Sequence, residues 1–154
     1  MDDRVAQLQK IELFSGLKPE ALELIGRLAV EETHSKGTKI FKHGETGDKL
    51  YLILEGRVRI SREVPGMGEE ALAVLGPGQA FGEMALLDES PRSADARVHE
   101  TCRVLSIAKD GFDDLLFLYK DVAYEVLWST VRMLVARLRD TTDKLTFLSI
   151  SGKF

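Results

Sequence analysis

The chain has 154 residues, enough for one domain that buries most of its apolar surface without disulfide or metal staples. With 44% apolar and 30% charged residues it reads as a soluble globular protein, and a net charge of −4 without a long Lys/Arg run excludes a general polyanion-binding face. A single cysteine, Cys102, excludes an internal disulfide framework and a CxxC metal site.

The start, MDDRVAQLQK, is acidic and polar and is no secretory signal. No apolar run approaches the ~18 residues of a membrane span, so no membrane partner and a reducing cytoplasmic setting are expected. Residues 3–29 read as a helical cover. Val5, Leu8 and Ile11 recur at helical spacing, Ser15-Gly16 breaks the run, and Pro19 restarts it in a first turn. Leu22, Ile25 and Leu28 form the second stripe.

From Val30 the period changes. Residues 30–108 hold short strands punctuated by Gly37, Gly44, Gly47 and Gly56, and Val58-Arg59-Ile60-Ser61 alternates apolar with polar. Pro65-Gly66-Met67-Gly68 separates these from a strand over 70–75, which Gly76-Pro77-Gly78 ends. Residues 93–98 alternate again, and 103–107 make a last strand, with Cys102 in a structural position at its start. Many short strands at close spacing predict an antiparallel sandwich or barrel.

The stretch 78–94, GQAFGEMALLDESPRSA, interrupts that barrel with a short helical run. Backbone N–H groups at the start of such a run, with a guanidinium close by, form an anion site. Taken alone, Glu83 and Arg92 read first as a surface ion pair.

The final helical region covers 110–148: a short piece to Tyr119, then a long helix over 121–148. Tyr124, Leu127, Val131, Leu134, Leu138, Thr141, Leu145 and Leu148 step by 3 and 4, a heptad seam suited to a second copy of the chain. The alternative is a helix packed only on its own barrel. Val122, Val126, Trp128, Met133 and Val135 form a second apolar set able to face the barrel. Thr141 puts a hydroxyl in the seam, and the ending FLSISGKF reads as a strand or hinge fragment.

GETGDKLYLILEGRVRI, then LGPGQAFGEMALLDESPRSA, then a long C-terminal helix closely resembles the cyclic nucleotide-binding domain family, nearest its cAMP-receptor type of regulator. The flanking glycines Gly44, Gly47, Gly56, Gly76 and Gly78 match as well. The resemblance implies an α+β fold. It consists of an antiparallel, jelly-roll-like β-roll with N-terminal helices, a short phosphate-binding-cassette helix and a long C-terminal helix, all in a single domain over 1–154.

In the family's cassette, Arg92, Ser93 and a free amide near Ala85 meet the cyclic phosphate. Glu83 takes the ribose 2′-OH, and Gly82 admits the backbone. Phe81, Met84 and Leu86 complete the cassette. The chemistry agrees: a guanidinium fork suits two exocyclic oxygens, at about 1.5–3 kcal/mol for a charge-assisted contact, and a carboxylate only accepts. The resemblance places Thr141 and Thr142 at the base, one from each protomer, with Arg137 one turn earlier. A register-setting polar residue in a coiled coil is the other reading of that pair. Ile60 and Leu72, expected to point inward, form the apolar wall.

The implied ligand is cAMP, with cGMP open, and the implied assembly is a homodimer through the helix around 121–148 that signals to an unknown downstream protein. Where the regulators continue into a helix-turn-helix, this sequence stops at Lys153-Phe154. That leaves a stand-alone sensor or the sensor half of a regulator cut at its hinge, and no DNA binding by the chain itself. A ligand-idle member of the fold, acting as an interaction protein, is the competing reading. A cupin-type enzyme would need clustered imidazoles, whereas His34, His43 and His99 are single, so no catalytic residue, cofactor or metal ligand is expected.

Overall fold

Two long strands carry the sheet. The computed structural model describes residues 2–88 and 91–151. Helix α1 (Asp2–Leu8), a 3-10 turn (Glu12–Phe14) and α2 (Pro19–Gly26) precede β1 (Val30–His34), β2 (Lys39–Phe41), β3 (Lys49–Val64), β4 (Gly68–Leu75) and β5 (Ala80–Phe81). A second 3-10 turn (Glu83–Leu86), β6 (Asp95–Ala108), α3 (Lys109–Leu118) and α4 (Lys120–Ser151) follow. The strand order is β1-β6-β3-β4, with β2 paired to β6 and β5 to β3, all antiparallel.

The pieces expected at 93–98 and 103–107 are one 14-residue strand, β6, and Cys102 lies inside it rather than at a strand start. Likewise β3 runs through Gly56 for 16 residues. Its partner register shifts between Ile53 and Val58, so the glycine is an irregularity within the ladder and not an end. A side chain cannot stand there: a Cβ on Gly56, at φ +84°, would lie 2.3 Å from the Thr101 carbonyl oxygen. Two strands crossing this closely need a bare backbone.

The two-residue period of the strands divides the core. Leu50 and Leu52 of β3 and Leu105 and Ile107 of β6 pack beneath Leu8, Phe14, Leu22, Ile25 and Phe112 of the helices. The intervening Tyr51, Ile53, Cys102 and Val104 turn to the roll interior with Val58, Phe81, Ala96 and Val98. Each buried aliphatic side chain contributes roughly 1.5–3 kcal/mol. Burial also pushes the Cys102 thiol pKa up, in keeping with a packing role.

On α4, Val122, Val126 and Met133 are buried with Ser129, whose hydroxyl donates to the Leu13 carbonyl. Their steps of 4, 3 and 4 make one narrow stripe. Trp128 and Val135, expected on that stripe, lie beside it at 46% and 43% exposure. The seam residues Tyr124, Leu127, Val131, Leu134, Leu138, Leu145 and Leu148 are all exposed. Every residue from 138 to 150 is exposed, a span of roughly 20 Å at 1.5 Å per residue. The ending predicted as a strand or hinge is helix as far as Ser151, because nothing in FLSIS breaks the period; residues 152–154 lie outside the described ones. Among the described residues no helix is long and apolar enough to cross a membrane.

Candidate functional site

A cavity of about 320 Å³ opens where the 3-10 turn at Glu83–Leu86 meets the roll. It is lined by Phe41, Gly47 and Ile60, by Phe81 to Ala85 at the turn, and by the segment Pro91, Arg92, Ser93 and Ala94. The sheet register sets its floor: Phe81 of β5 pairs with Tyr51 of β3, and their rings stack at 5.1 Å and 12°. Gly82, at φ +78°, then turns the chain into the 3-10 helix. Ala85 and Leu86 are buried and anchor the turn, whereas Met84 is exposed.

Arg92 is clipped in place by its backbone. Its N–H donates to the Glu45 carbonyl (2.7 Å), and its own carbonyl accepts from the Gly44 N–H (2.8 Å). The side chain is only 9% exposed. Its Nη2 donates to the Lys49 carbonyl at 2.8 Å, and its Cζ lies 4.0 Å from the centroid of the Phe41 ring. Gly47 and Gly82 leave the space it fills: a Cβ on Gly82 would stand 2.6 Å from Nη1, and one on Gly47 3.1 Å from Nε. Nε is buried and has no hydrogen-bond partner among the described residues. Burial lowers the guanidinium pKa from its usual value, while Tyr51, Asp48 and Glu45 pull the other way. Burial, then Glu32, pushes the Tyr51 phenol up to about 12, so that ring stays neutral. The result is a buried cation whose Nε has no acceptor among the described residues, at the wall of a cavity.

Glu83 stands on the same cavity, and its partner is Arg137 of α4, which also bonds Glu12 Oε2 at 3.1 Å. Arg137 Nη1 reaches Met84 Sδ at 3.9 Å. Burial disfavours the Arg137 charge, and the hydrogen bonds to Glu83 and Glu12 outweigh it, raising its pKa. The surface ion pair between Glu83 and Arg92 is therefore not the arrangement found: one group is buried against Phe41 and the other is held by α4.

Three expectations need correction. The Ala85 amide is not free, because it donates to the Gly82 carbonyl at 3.0 Å to close the 3-10 turn. Leu72 does not join Ile60 on the wall. Ile60 pairs with Ala73 and Ser61 with Ala71, so Leu72 is the extra residue of a bulge, 61% exposed and outside the cavity lining. Thr141 and Thr142 are exposed on the projecting part of α4 and do not line the cavity of their own chain. Phe41, Glu12 and Gly47 were not foreseen as site residues. Phe41 fell among the short strands of 30–108 with nothing to mark it as part of a site, and Glu12 lies 125 positions from its partner Arg137.

The histidines sit apart: His34 contacts Glu32 at 2.9 Å, His43 Arg62 at 3.2 Å and His99 Arg59 at 3.0 Å. Among the described residues no group of three potential metal ligands occurs.

The profile of the cyclic nucleotide-binding domain matches residues 31–119, more than half of the chain. The chain belongs to the cyclic nucleotide-binding domain family. Among full-length relatives, it is 37% identical over 137 residues to a cyclic AMP receptor protein of Thermus thermophilus, covering 89% of this chain and 62% of that one. It is 30% identical over 149 residues to a CRP-like cAMP-activated global transcriptional regulator of Mycobacterium tuberculosis, covering 95% and 65%. The chain thus spans less than two thirds of the length of these curated relatives. Among solved structures, the N-terminal domain of a transcriptional regulator from Streptomyces coelicolor A3(2) superposes with a TM-score of 0.79 at 31% identity, covering 90% of this chain and 94% of that one. The cyclic nucleotide-binding domain profile spans β1 to α3 and includes the whole cavity lining, whereas Glu12 and Arg137 fall outside it.

Proposed function

We propose that the chain is a sensor of a cyclic purine nucleotide, cAMP before cGMP, and that it signals through α4. The observation that carries this reading is the buried Arg92 guanidinium, its Nε without an acceptor among the described residues, on a cavity it shares with the Glu83 carboxylate. Arg92 and the exposed Ser93 meet the phosphate of the ligand. An anion brought there adds acceptors to the guanidinium and offsets what burial removed. Glu83 accepts the ribose 2′-OH. Its bond to Arg137 leaves lone pairs free, since an ionised carboxylate offers about four acceptor positions. Gly82 lets the ligand approach the backbone, Phe81 and Leu86 hold the turn from within, Met84 flanks it, and Ile60 covers one face.

The single-chain cavity has no base-reading hydroxyl from α4. Thr141 and Thr142 reach a base only across a dimer, and the exposed seam of α4 supplies that dimer. The homodimer, a downstream protein partner, a single domain over 1–154 and a cytoplasmic setting complete the reading. No metal, catalytic residue or cofactor takes part. The ligand-idle reading draws on the Glu83–Arg137 pair, which leaves that carboxylate already satisfied in part.

Calorimetric titration separates the two. Wild-type protein is expected to bind cAMP, and Arg92→Ala to weaken binding by about 10- to 150-fold, the equivalent of one charge-assisted contact of about 1.5–3 kcal/mol. Absence of heat from wild type at millimolar cAMP and cGMP would leave the idle reading standing.

A further inference from the structure

We propose that Phe41 is a positioning residue whose ring face fixes the plane of the Arg92 guanidinium; the ligand consequences drawn below rest on the sensor reading. A guanidinium grips two oxygens of one phosphate only when its fork lies close to their plane. Among the described residues one hydrogen bond, from Nη2 to the Lys49 carbonyl at 2.8 Å, ties one end of the group but leaves it free to rotate about that bond. The second restraint is the Phe41 ring, whose centroid lies 4.0 Å from Cζ, within the range of a cation–π contact. On the remaining sides the bare backbones of Gly47 and Gly82 come so close that a Cβ on either would meet the guanidinium at 3.1 Å or 2.6 Å.

The ring is itself held by the sheet. Phe41 closes β2, where it pairs with Ala96 of β6. It lies 6.1 Å from Tyr51 and 5.9 Å from Phe81, the two rings stacked on each other across β3 and β5. Strand register is therefore transmitted to the guanidinium plane through one aromatic face. Leucine at this position keeps apolar volume but offers no quadrupole. Tyrosine keeps the face.

Two measurements test this. The first needs no ligand. In a ¹H–¹⁵N spectrum the Arg92 Nε–H, assigned by its loss in Arg92→Lys, is expected to exchange slowly and to carry an upfield ring-current shift. Phe41→Leu is expected to speed that exchange as well as to remove the shift, and Phe41→Tyr to keep both; exchange as slow in Phe41→Leu as in wild type overturns the proposal. The second titrates cAMP and its Sp and Rp phosphorothioates, which differ only in which exocyclic oxygen is sulfur. Phe41→Leu is expected to weaken cAMP binding about 2- to 30-fold, the span of one cation–π contact, and to shrink the Sp/Rp ratio, with Phe41→Tyr restoring both. In an Arg92→Ala background Phe41→Leu is expected to add nothing. A loss equal in both backgrounds, or a lowered affinity with an unchanged Sp/Rp ratio, makes Phe41 a packing residue and overturns the proposal. If wild type binds no cyclic nucleotide, the sensor reading fails, and the Nε–H resonance still decides the role of Phe41.

Discussion

Asp95 shows how a charge holds the roll together next to the segment that carries Arg92. It begins β6 at 5% exposure, accepts the His43 N–H at 2.7 Å and lies 3.6 Å from Lys39 Nζ. The backbone hydrogen bond from His43 keeps its carboxyl below the usual aspartate range, with Lys39 adding to the effect. A folded-state pKa lowered in this way stabilises the protein fully above the unfolded-state value and ceases to as the pH falls through the folded one. Asp95→Asn should therefore cost about 1.5–3 kcal/mol at neutral pH, as a charge-assisted hydrogen bond does. Denaturant unfolding of the two proteins at pH 7 and near pH 3 checks this: the gap should narrow in acid. The types of Arg92 and Glu83 were legible because their chemistry is carried by a short motif. Their surroundings were not, since the Phe41 ring reaches Arg92 from a strand some 50 positions earlier in the sequence, and only the sheet register brings the two together.

Among the elements, α4 divides its labour between two faces. Val122, Val126, Ser129 and Met133 bind the helix to the domain, and the seam beginning at Tyr124 remains open along its length. Beyond residue 137 the helix has no cover of its own, and an uncovered helix with a regular apolar seam has a partner helix as its simplest occupant. Leu134→Asp is accordingly expected to convert a dimer into a monomer by sedimentation while leaving the fold intact, because Leu134 is 42% exposed in the single chain. A wild-type protein that sediments as a monomer would contradict the role given to this face. The heptad was readable because it is a property of one segment. The exposure of Trp128 and Val135 was not, because only the position of the underlying 3-10 turn decides which flank of the stripe is covered. The bulge at Leu72 escaped for a related reason: a one-residue shift changes the face of a strand residue without altering the apolar pattern that predicted it.

Across the whole molecule, three parts of the chain meet at one guanidinium. Glu12 of the N-terminal turn and Glu83 of the cavity share Arg137 of α4, so any ligand that pulls on Glu83 pulls on both helical layers. Half-exposed ion pairs of this kind contribute little to stability, about 0–1 kcal/mol, but they connect the cavity to the helix that carries the seam. A change there needs only a difference in ligand affinity between two arrangements of the same contacts. The central claim is that the cavity takes a cyclic phosphate at Arg92 and a ribose hydroxyl at Glu83 together. Calorimetric titration of the wild-type chain with cAMP and with 2′-deoxy-cAMP tests it most directly. Both are expected to bind, the deoxy compound about 10- to 100-fold more weakly, since Glu83 loses the charge-assisted hydrogen bond from the 2′-OH. Equal affinity for the two, or no heat from either, would contradict it.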